Sequence, residues 1–303
     1  MSDVAFFEDA HTRIFLADCR QIPTFVDRPV HLIVTSPPYN LGKDYGASSD
    51  QLSYASYLSD VEAWGEAWKS VLTPGARVAI NIPIDTNGER TGRGKGSRKL
   101  TSEKRFILAD YHRIFDGLGY IYNTTILWDE GNISRRTAWG SWMSASDPWV
   151  TTPTEAILIY SWQVRKRPDA RGRESDIWRD EFLEWSLGTW RFAGESPSRV
   201  GGHPAAFPTE LPRRLIRLFS FKGDTILDPF NGSGTTTAVA RSLGRYGIGF
   251  DLEPSYCEYA AKRVQDTPFG CDCEPDPYRP APRTPLATEQ PPGASSRAGG
   301  RRL

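Results

Sequence analysis

The chain is poor in cysteine. Four residues in 303, at positions 19, 257, 271 and 273, form no set of paired spacings, which argues against a disulfide framework and for a reducing, intracellular setting. Cys271 and Cys273 form a CxC in a polar tail that offers no further ligands, so free thiols are expected there and no metal site. No apolar run approaches the roughly 20 residues that cross a bilayer. The first residues, MSDVAFFEDAHTR, carry acids early and lack the apolar stretch of a secretion signal, so neither a leader nor a membrane span is expected. Charge of one sign is lacking too: 37 Lys and Arg balance 37 Asp and Glu, and any surface for a polyanion must come from local clustering. No internal repeat is present.

What is there suits one sizeable globular domain, with 39% hydrophobic residues over 303 positions. RIFLAD (13–18) and HLIVTS (31–36) read as short buried strands. Residues 53–71 read as a helix, because Tyr54, Tyr57, Leu58, Val61, Trp64, Trp68 and Leu72 recur at steps of three and four, and Thr73-Pro74-Gly75 ends it. ARVAINIP is the next strand, 105–118 the next helix, and YIYNTTILW and EAILIYSW two further strands. After a less regular stretch, 163–202, come a helix over 209–219, the strand DTILDPF, a helix over 235–243, the strand RYGIGFD and a helix over 254–265. Alternating strand and helix signals predict an α/β fold, Rossmann-like, with a mainly parallel doubly wound sheet. The expected organisation is a catalytic domain over 1–267 and a disordered tail over 268–303, where Pro, Gly, Ser, Ala and Arg dominate.

Two loops carry chemistry. In ILDPFNGSGTT (226–236) an apolar strand ends in Asp228, and a turn containing Gly232, Ser233 and Gly234 leads into a helix. Ligands of doubly wound folds bind at the carboxyl ends of strands, and Asp228 there suits an ammonium. Strand RYGIGF ends in Asp251, placed to accept from ribose hydroxyls, with Glu253 close by. A lone GxG is usually only a turn. A nicotinamide fingerprint wants glycine where Thr237 stands, and a phosphate loop wants a lysine after Gly234, so both rivals weaken at the same residues.

TSPPYN (35–40) follows the second strand. Pro37 and Pro38 have no N–H and hold the chain stiff, so the carbonyls beside them are pre-positioned acceptors. Ser36 adds a hydroxyl and Tyr39 a flat ring. A base turned out of a duplex needs a stacking face and acceptors for its amino hydrogens. Taken alone, SPPY is a rigid turn; its co-occurrence with the Asp228 loop raises the functional reading. No cysteine follows a proline, which disfavours attack on cytosine C5, and no compact acid cluster with a nearby lysine suggests a metal-dependent nuclease.

At TSPPY and DPFNGSGTT, in that order, the chain resembles the amino-methylating DNA methyltransferases. The catalytic motif precedes the cofactor motif, a circularly permuted order similar to the beta group, which modifies cytosine N4 or adenine N6. The resemblance runs from about residue 14 to residue 265 and includes His203-Pro204-Ala205-Ala206-Phe207-Pro208, similar to the family's lead-in to the cofactor loop. It implies S-adenosylmethionine as cofactor, contacted by Asp228, Phe230, Gly232, Ser233, Gly234, Asp251 and Glu253. It implies a flipped base in double-stranded DNA, bound by Ser36, Pro37, Pro38 and Tyr39. Ser36, where adenine enzymes more often carry Asp, favours cytosine N4; adenine N6, and a DNA-binding relative that has lost catalysis, stay open. RNA or protein amides are further substrates that such loops serve.

The resemblance also implies a cytoplasmic bacterial or archaeal enzyme, monomer or homodimer, compatible with a partner restriction endonuclease. Two segments are locally basic. The Gly-rich one, over 88–105, contains Arg93, Lys95, Arg98 and Lys99 and is expected to be a mobile loop gripping phosphates; the other is 165–173. Residues 163–202 are the candidate target-recognition region. Its tryptophans, like those over 139–149, are expected to be core more often than surface.

Overall fold

The computed structural model describes residues 5–40, 52–87, 104–131, 141, 143–146, 148, 150, 154–194 and 208–270. In chain order the elements are β1 (Phe7–Glu8), β2 (Thr12–Leu16), α1 (Ile22–Phe25), β3 (Val30–Thr35), α2 (Tyr54–Lys69), β4 (Leu72–Pro83), β5 (Thr86–Asn87), β6 (Lys104–Arg105) and α3 (Ile107–Gly117). Then come β7 (Ile121–Asp129), β8 (Thr154–Ser161), α4 (Arg179–Trp185), β9 (Thr189–Arg191), α5 (Glu210–Phe219), β10 (Thr225–Asp228), α6 (Thr235–Ser242), β11 (Tyr246–Asp251) and α7 (Pro254–Gln265).

Nine strands form one sheet in the order β1-β2-β11-β10-β3-β4-β8-β7-β9, and β5 and β6 pair apart from it. The middle run from β2 to β4 is parallel. β8 enters antiparallel between β4 and β7, and β1 is antiparallel at the far edge. The sheet is therefore mainly parallel, as the alternation of elements predicts.

Burial on both faces follows from the two-residue period of the strands. Ile33, Val78, Ile80, Ile82, Leu158, Tyr160 and Leu227 point to one side, where they meet Tyr57, Val61, Trp64 and Trp68 of α2 and Tyr111 and Phe115 of α3. Leu32, Val34, Ala79, Ile157, Ile159 and Ile226 point to the other, against Leu211, Leu215 and Ile216 of α5 and Val239 and Ala240 of α6. The helix caps are local: Ser53 accepts from the Ser56 amide at 3.2 Å, and α7 opens with Pro254 after Glu253.

Two expectations change. The segment Thr73-Pro74-Gly75 ends the helix but also lies inside β4, which begins at Leu72; the register against β3 shifts between Val30 and Leu32, so the extra residues are absorbed as a bulge. The stretch over 163–202 is not only irregular. It contains α4 and β9, and β9 extends the main sheet by pairing parallel with β7. Trp185 and Trp190 are buried in the second core, whereas Trp178 is exposed.

No helix among the described residues is long and apolar enough to cross a bilayer. The described residues all fall within one compact unit, Met1–Cys271.

Candidate active site

β3 and β10 lie side by side and parallel, although 193 positions separate Thr35 from Asp228. From β3 the chain proceeds to β4 on one side, and from β10 to β11 on the other. Such a divergence is a topological switch point, and the loops leaving the carboxyl ends of the two strands flank a crevice there. These loops are Ser36–Asn40 and Pro229–Gly234. A hydrogen bond ties them at the root: the Thr35 hydroxyl donates to Asp228 Oδ1 at 2.7 Å.

Asp228 is buried. Its Oδ1 also accepts from the Phe230 amide at 3.1 Å, and no cation pairs with it among the described residues. Burial pushes its carboxyl up to about 6, against the pull of the Thr236 and Thr35 hydroxyls and the Phe230 amide. Phe230 meets Trp64 of α2 edge-on, with ring centroids 4.7 Å apart.

The turn that follows is held by its own backbone and by Asp251. Gly232 N donates to Asp251 Oδ2 at 2.8 Å, and Glu253 N donates to Asp251 Oδ1 at 2.9 Å. Both carboxylate oxygens of Asp251 thus brace the turn, and burial raises its pKa. Glu253 sits at the start of α7, where its Oε1 accepts from the Ser255 hydroxyl at 2.9 Å. Gly234 has a left-handed φ of +76°, and a Cβ there would come within 2.7 Å of the Ala260 Cβ. The glycine at 234 is therefore required by its left-handed backbone and by packing against α7. Ser233 is buried and lies near Thr235, with the two hydroxyls 3.5 Å apart.

The Ser36 loop is rigid beyond what its two prolines impose. Tyr39 is 6% exposed, with its hydroxyl hydrogen-bonded to Ser36 Oγ and donating to the Asn81 carbonyl at 3.1 Å. The Asn81 amide nitrogen lies 3.3 Å from the same hydroxyl and also donates to Glu155. The Pro38 carbonyl accepts from the Tyr57 hydroxyl at 3.0 Å, and Tyr57 is joined in turn to Tyr111 at 2.7 Å. Asn40 closes the loop with φ +56° and a paired side-chain contact to the Leu52 backbone.

Ser36, Tyr39, Asp228, Phe230, Gly232 and Asp251 thus come to one end of the sheet. Sequence reasoning missed Asn81, Glu155 and the hydroxyl role of Tyr57. Asn81 had a signal, since it is the one polar residue among the apolar positions of AINIP. Tyr57 had none, because it sits on the apolar face of its helix and reads as core.

The basic segments fare differently. Arg93, Lys95, Arg98 and Lys99 lie outside the described residues, as do His203–Phe207 of the lead-in and Cys271 and Cys273. In the segment 165–173, Arg167 and Arg173 both pair with Asp169 and Asp224, so they are committed to the protein itself. Lys166 and Arg171 are exposed. Cys19 and Cys257 are buried free thiols; burial raises both, Cys257 to about 12. Among the described residues no group of three His, Cys, Asp or Glu is arranged to hold a metal ion.

Comparison with known proteins adds a family to this geometry. The profile of the DNA methylase family N6_N4_Mtase matches residues 30–262. The type II methyltransferase M.MjaVI of Methanocaldococcus jannaschii is 42% identical over 181 residues, covering 58% of this chain and 84% of its own. M.MjaI of the same organism is 29% identical over 275 residues, covering 80% and 88%. Among solved structures, the Thermus thermophilus protein TTHA0409, complexed with S-adenosyl-L-methionine, superposes with a TM-score of 0.63 at 26% identity, over 85% of this chain and 97% of that one. The cytosine-N4-specific PvuII DNA methyltransferase shares the fold, with a TM-score of 0.61 at 20% identity over 86% and 88%.

Proposed function

The chain belongs to the DNA methylase family N6_N4_Mtase, and from that premise we propose that it is an S-adenosylmethionine-dependent methyltransferase acting on the exocyclic amino group of cytosine in double-stranded DNA. The observation that carries this reading is the Thr35–Asp228 hydrogen bond, which roots the base-binding and cofactor-binding loops at one switch point. The cofactor assignment draws support from the relative solved with S-adenosyl-L-methionine and from the chemistry of the donors. A buried carboxylate without a cation is an unfavourable arrangement until a positive ligand meets it. Asp228 would hold the ammonium of the methionine moiety, Phe230 would flank the adenine beside Trp64, and Asp251 or Glu253 would take the ribose hydroxyls. Bound there, the cofactor supplies an electrophilic methyl group on a sulfonium.

The rest of the work falls to the loop. An exocyclic amine conjugated to its ring is a weak nucleophile. Ser36 Oγ and the Pro37 carbonyl would accept its two hydrogens and draw the nitrogen toward a tetrahedral shape. The Pro38 carbonyl is already held by Tyr57, which keeps the loop from relaxing. Tyr39 would offer its ring to the base. Catalysis is then mostly positioning, with no covalent adduct to the base.

Ser36 in place of Asp favours cytosine N4. The type II names of the relatives favour a role beside a restriction endonuclease, and the basic residues Arg93, Lys95, Arg98 and Lys99 would supply phosphate contacts in this reading. Mass spectrometry of nucleosides from treated DNA tests it. N4-methylcytosine is expected, N6-methyladenine would move the base assignment while keeping the mechanism, and no amino-methylated base would overturn the proposal. In single-turnover assays Ser36→Ala should slow transfer with both ligands bound, and Tyr39→Ala should lose stacking worth about 1–3 kcal/mol.

A further inference from the structure

Ser36 can serve as an acceptor only if its own hydrogen points elsewhere. A serine hydroxyl carries one hydrogen and two lone pairs, and in solution it turns freely. The structure contains a device that sets this direction, beginning on the neighbouring strand. The Asn81 carbonyl, at the carboxyl end of β4, accepts from the Tyr39 hydroxyl at 3.1 Å. A carbonyl cannot donate, so the single phenolic hydrogen is spent on that bond. The Asn81 amide nitrogen approaches the same phenolic oxygen at 3.3 Å as a second donor. With that hydrogen so placed, the bond between the Tyr39 hydroxyl and Ser36 Oγ runs from serine to tyrosine.

Glu155, at the start of β8, keeps the Asn81 side chain the right way round. Its carboxylate accepts from the Asn81 amide nitrogen. Turning the amide over would set oxygen against oxygen, both toward Glu155 and toward the lone pairs of Tyr39. The cost of this orientation is visible: Asn81 Oδ1 is buried without a hydrogen-bond partner among the described residues, an arrangement that ordinarily weakens a fold and recurs where a site needs it.

We propose that Asn81, oriented by Glu155, is a positioning residue that acts through Tyr39 to commit the Ser36 hydrogen, leaving the Ser36 lone pairs to accept from the amino group of the incoming base. This rests on the amino-methyltransferase reading above and adds to it two residues from β4 and β8. It also gives the tyrosine hydroxyl a role separate from the ring: the ring is for the base, the hydroxyl for the serine.

Tyr39→Phe separates the two roles, because it keeps the ring and removes the acceptor of the serine hydrogen. Single-turnover transfer of labelled methyl to DNA should fall about tenfold or more, while affinity for S-adenosylmethionine and the fluorescence of 2-aminopurine at the target position stay at wild-type values. The cycle with Ser36→Ala is decisive. If the hydroxyl acts only through serine, Tyr39→Phe adds nothing to the loss already caused by Ser36→Ala. Asn81→Asp, near-isosteric but lacking the donor and placed against Glu155, should slow transfer comparably. It should also add an acid limb to the pH profile of the rate, as the two carboxylates share a proton, an effect that a merely structural role would not produce. Multiplicative losses in the cycle, or wild-type rates in Tyr39→Phe and in Asn81→Asp, would overturn the relay. The wild-type protein is assayed alongside. Absence of any amino-methylated base from it would overturn the parent reading and the relay together, whereas an active wild type with unaffected variants would overturn the relay alone.

Discussion

Asp224 and Asp228 bracket β10, four residues apart, and are buried to the same degree, at 0% and 1% exposure. Their surroundings are opposite. Asp224, at the amino end of the strand, takes Arg167 and Arg173 together with the Phe221 amide. Nearby, Arg245 is fully buried on Asp176, with Nη2 2.6 Å from Oδ1, and Arg217 pairs with Glu181 at 3.0 Å. Asp228, at the carboxyl end, has a threonine hydroxyl and a backbone amide and no cation among the described residues. One end of the sheet neutralises its buried charges and is finished as a structure. At the other, no cation among the described residues meets Asp228, and in the reading proposed above the ammonium of the bound cofactor does. Burial of a carboxylate says nothing by itself about function; its compensation does.

The largest effect should come from the finished end. Asp224→Ala leaves two arginines, one of them buried, with Asp169 as their remaining carboxylate, and is expected to cost about 3 kcal/mol of stability in urea unfolding, with cofactor affinity of the surviving folded protein unaltered. A loss of affinity without a loss of stability would dissolve the contrast. Asp228→Asn should do the reverse. Calorimetry should find S-adenosylmethionine binding weakened by roughly 1.5–3 kcal/mol, while unfolding of the unliganded protein at pH 8 shows equal or higher stability.

Titration gives the next contrast. Binding of a cation should favour ionised Asp228, whose carboxyl is pushed up to about 6 by burial. Affinity should therefore hold steady above about pH 7 and fall toward tenfold per unit below about pH 6, and Asp228→Asn should abolish that fall. Stability of the unliganded protein carries the opposite sign. A carboxyl raised in the folded state contributes most below its ordinary range and loses that contribution as the pH rises toward 6. Burial of Asp176 opposes its ionisation too, but Arg245 overcomes it and holds the carboxyl low, so its contribution is present above the ordinary range and lost as the pH falls. The smallest effect concerns neither aspartate. Neutralising Arg93, Lys95, Arg98 and Lys99 together should flatten the salt dependence of DNA binding by about one slope unit for each phosphate no longer neutralised, with both stability and cofactor affinity unmoved. An unchanged slope would remove these four residues from the DNA-binding surface.

The two loops are legible because each concentrates unusual residues within a few positions. Two prolines beside an aromatic, and an acid before two glycines, stand out against any background, and the alternation of strands and helices is plain from periods of two and 3.6. The arginines at 167 and 173 mislead for the same local reason. A run of positive charge looks like a surface for phosphate until its partners are known, and Asp224 lies more than fifty positions away. The glycine at 234 reads as making room for a ligand, yet it also makes room for Ala260.

By itself, then, the sequence determined the longer strands β2, β3, β4, β7, β8, β10 and β11, most of the helices and the two motif loops, because these depend on spacing within a dozen residues. Only the tertiary structure decided that β3 and β10 are neighbours, that β9 joins the sheet, and that Asn81 and Glu155 reach the Tyr39 hydroxyl. It also decided which buried aspartate, among the described residues, has a cation beside it. Hydrogen bonds and ion pairs act over about 3 Å in space and are indifferent to separation along the chain, so a residue's partners, unlike its periodicity, are not written beside it.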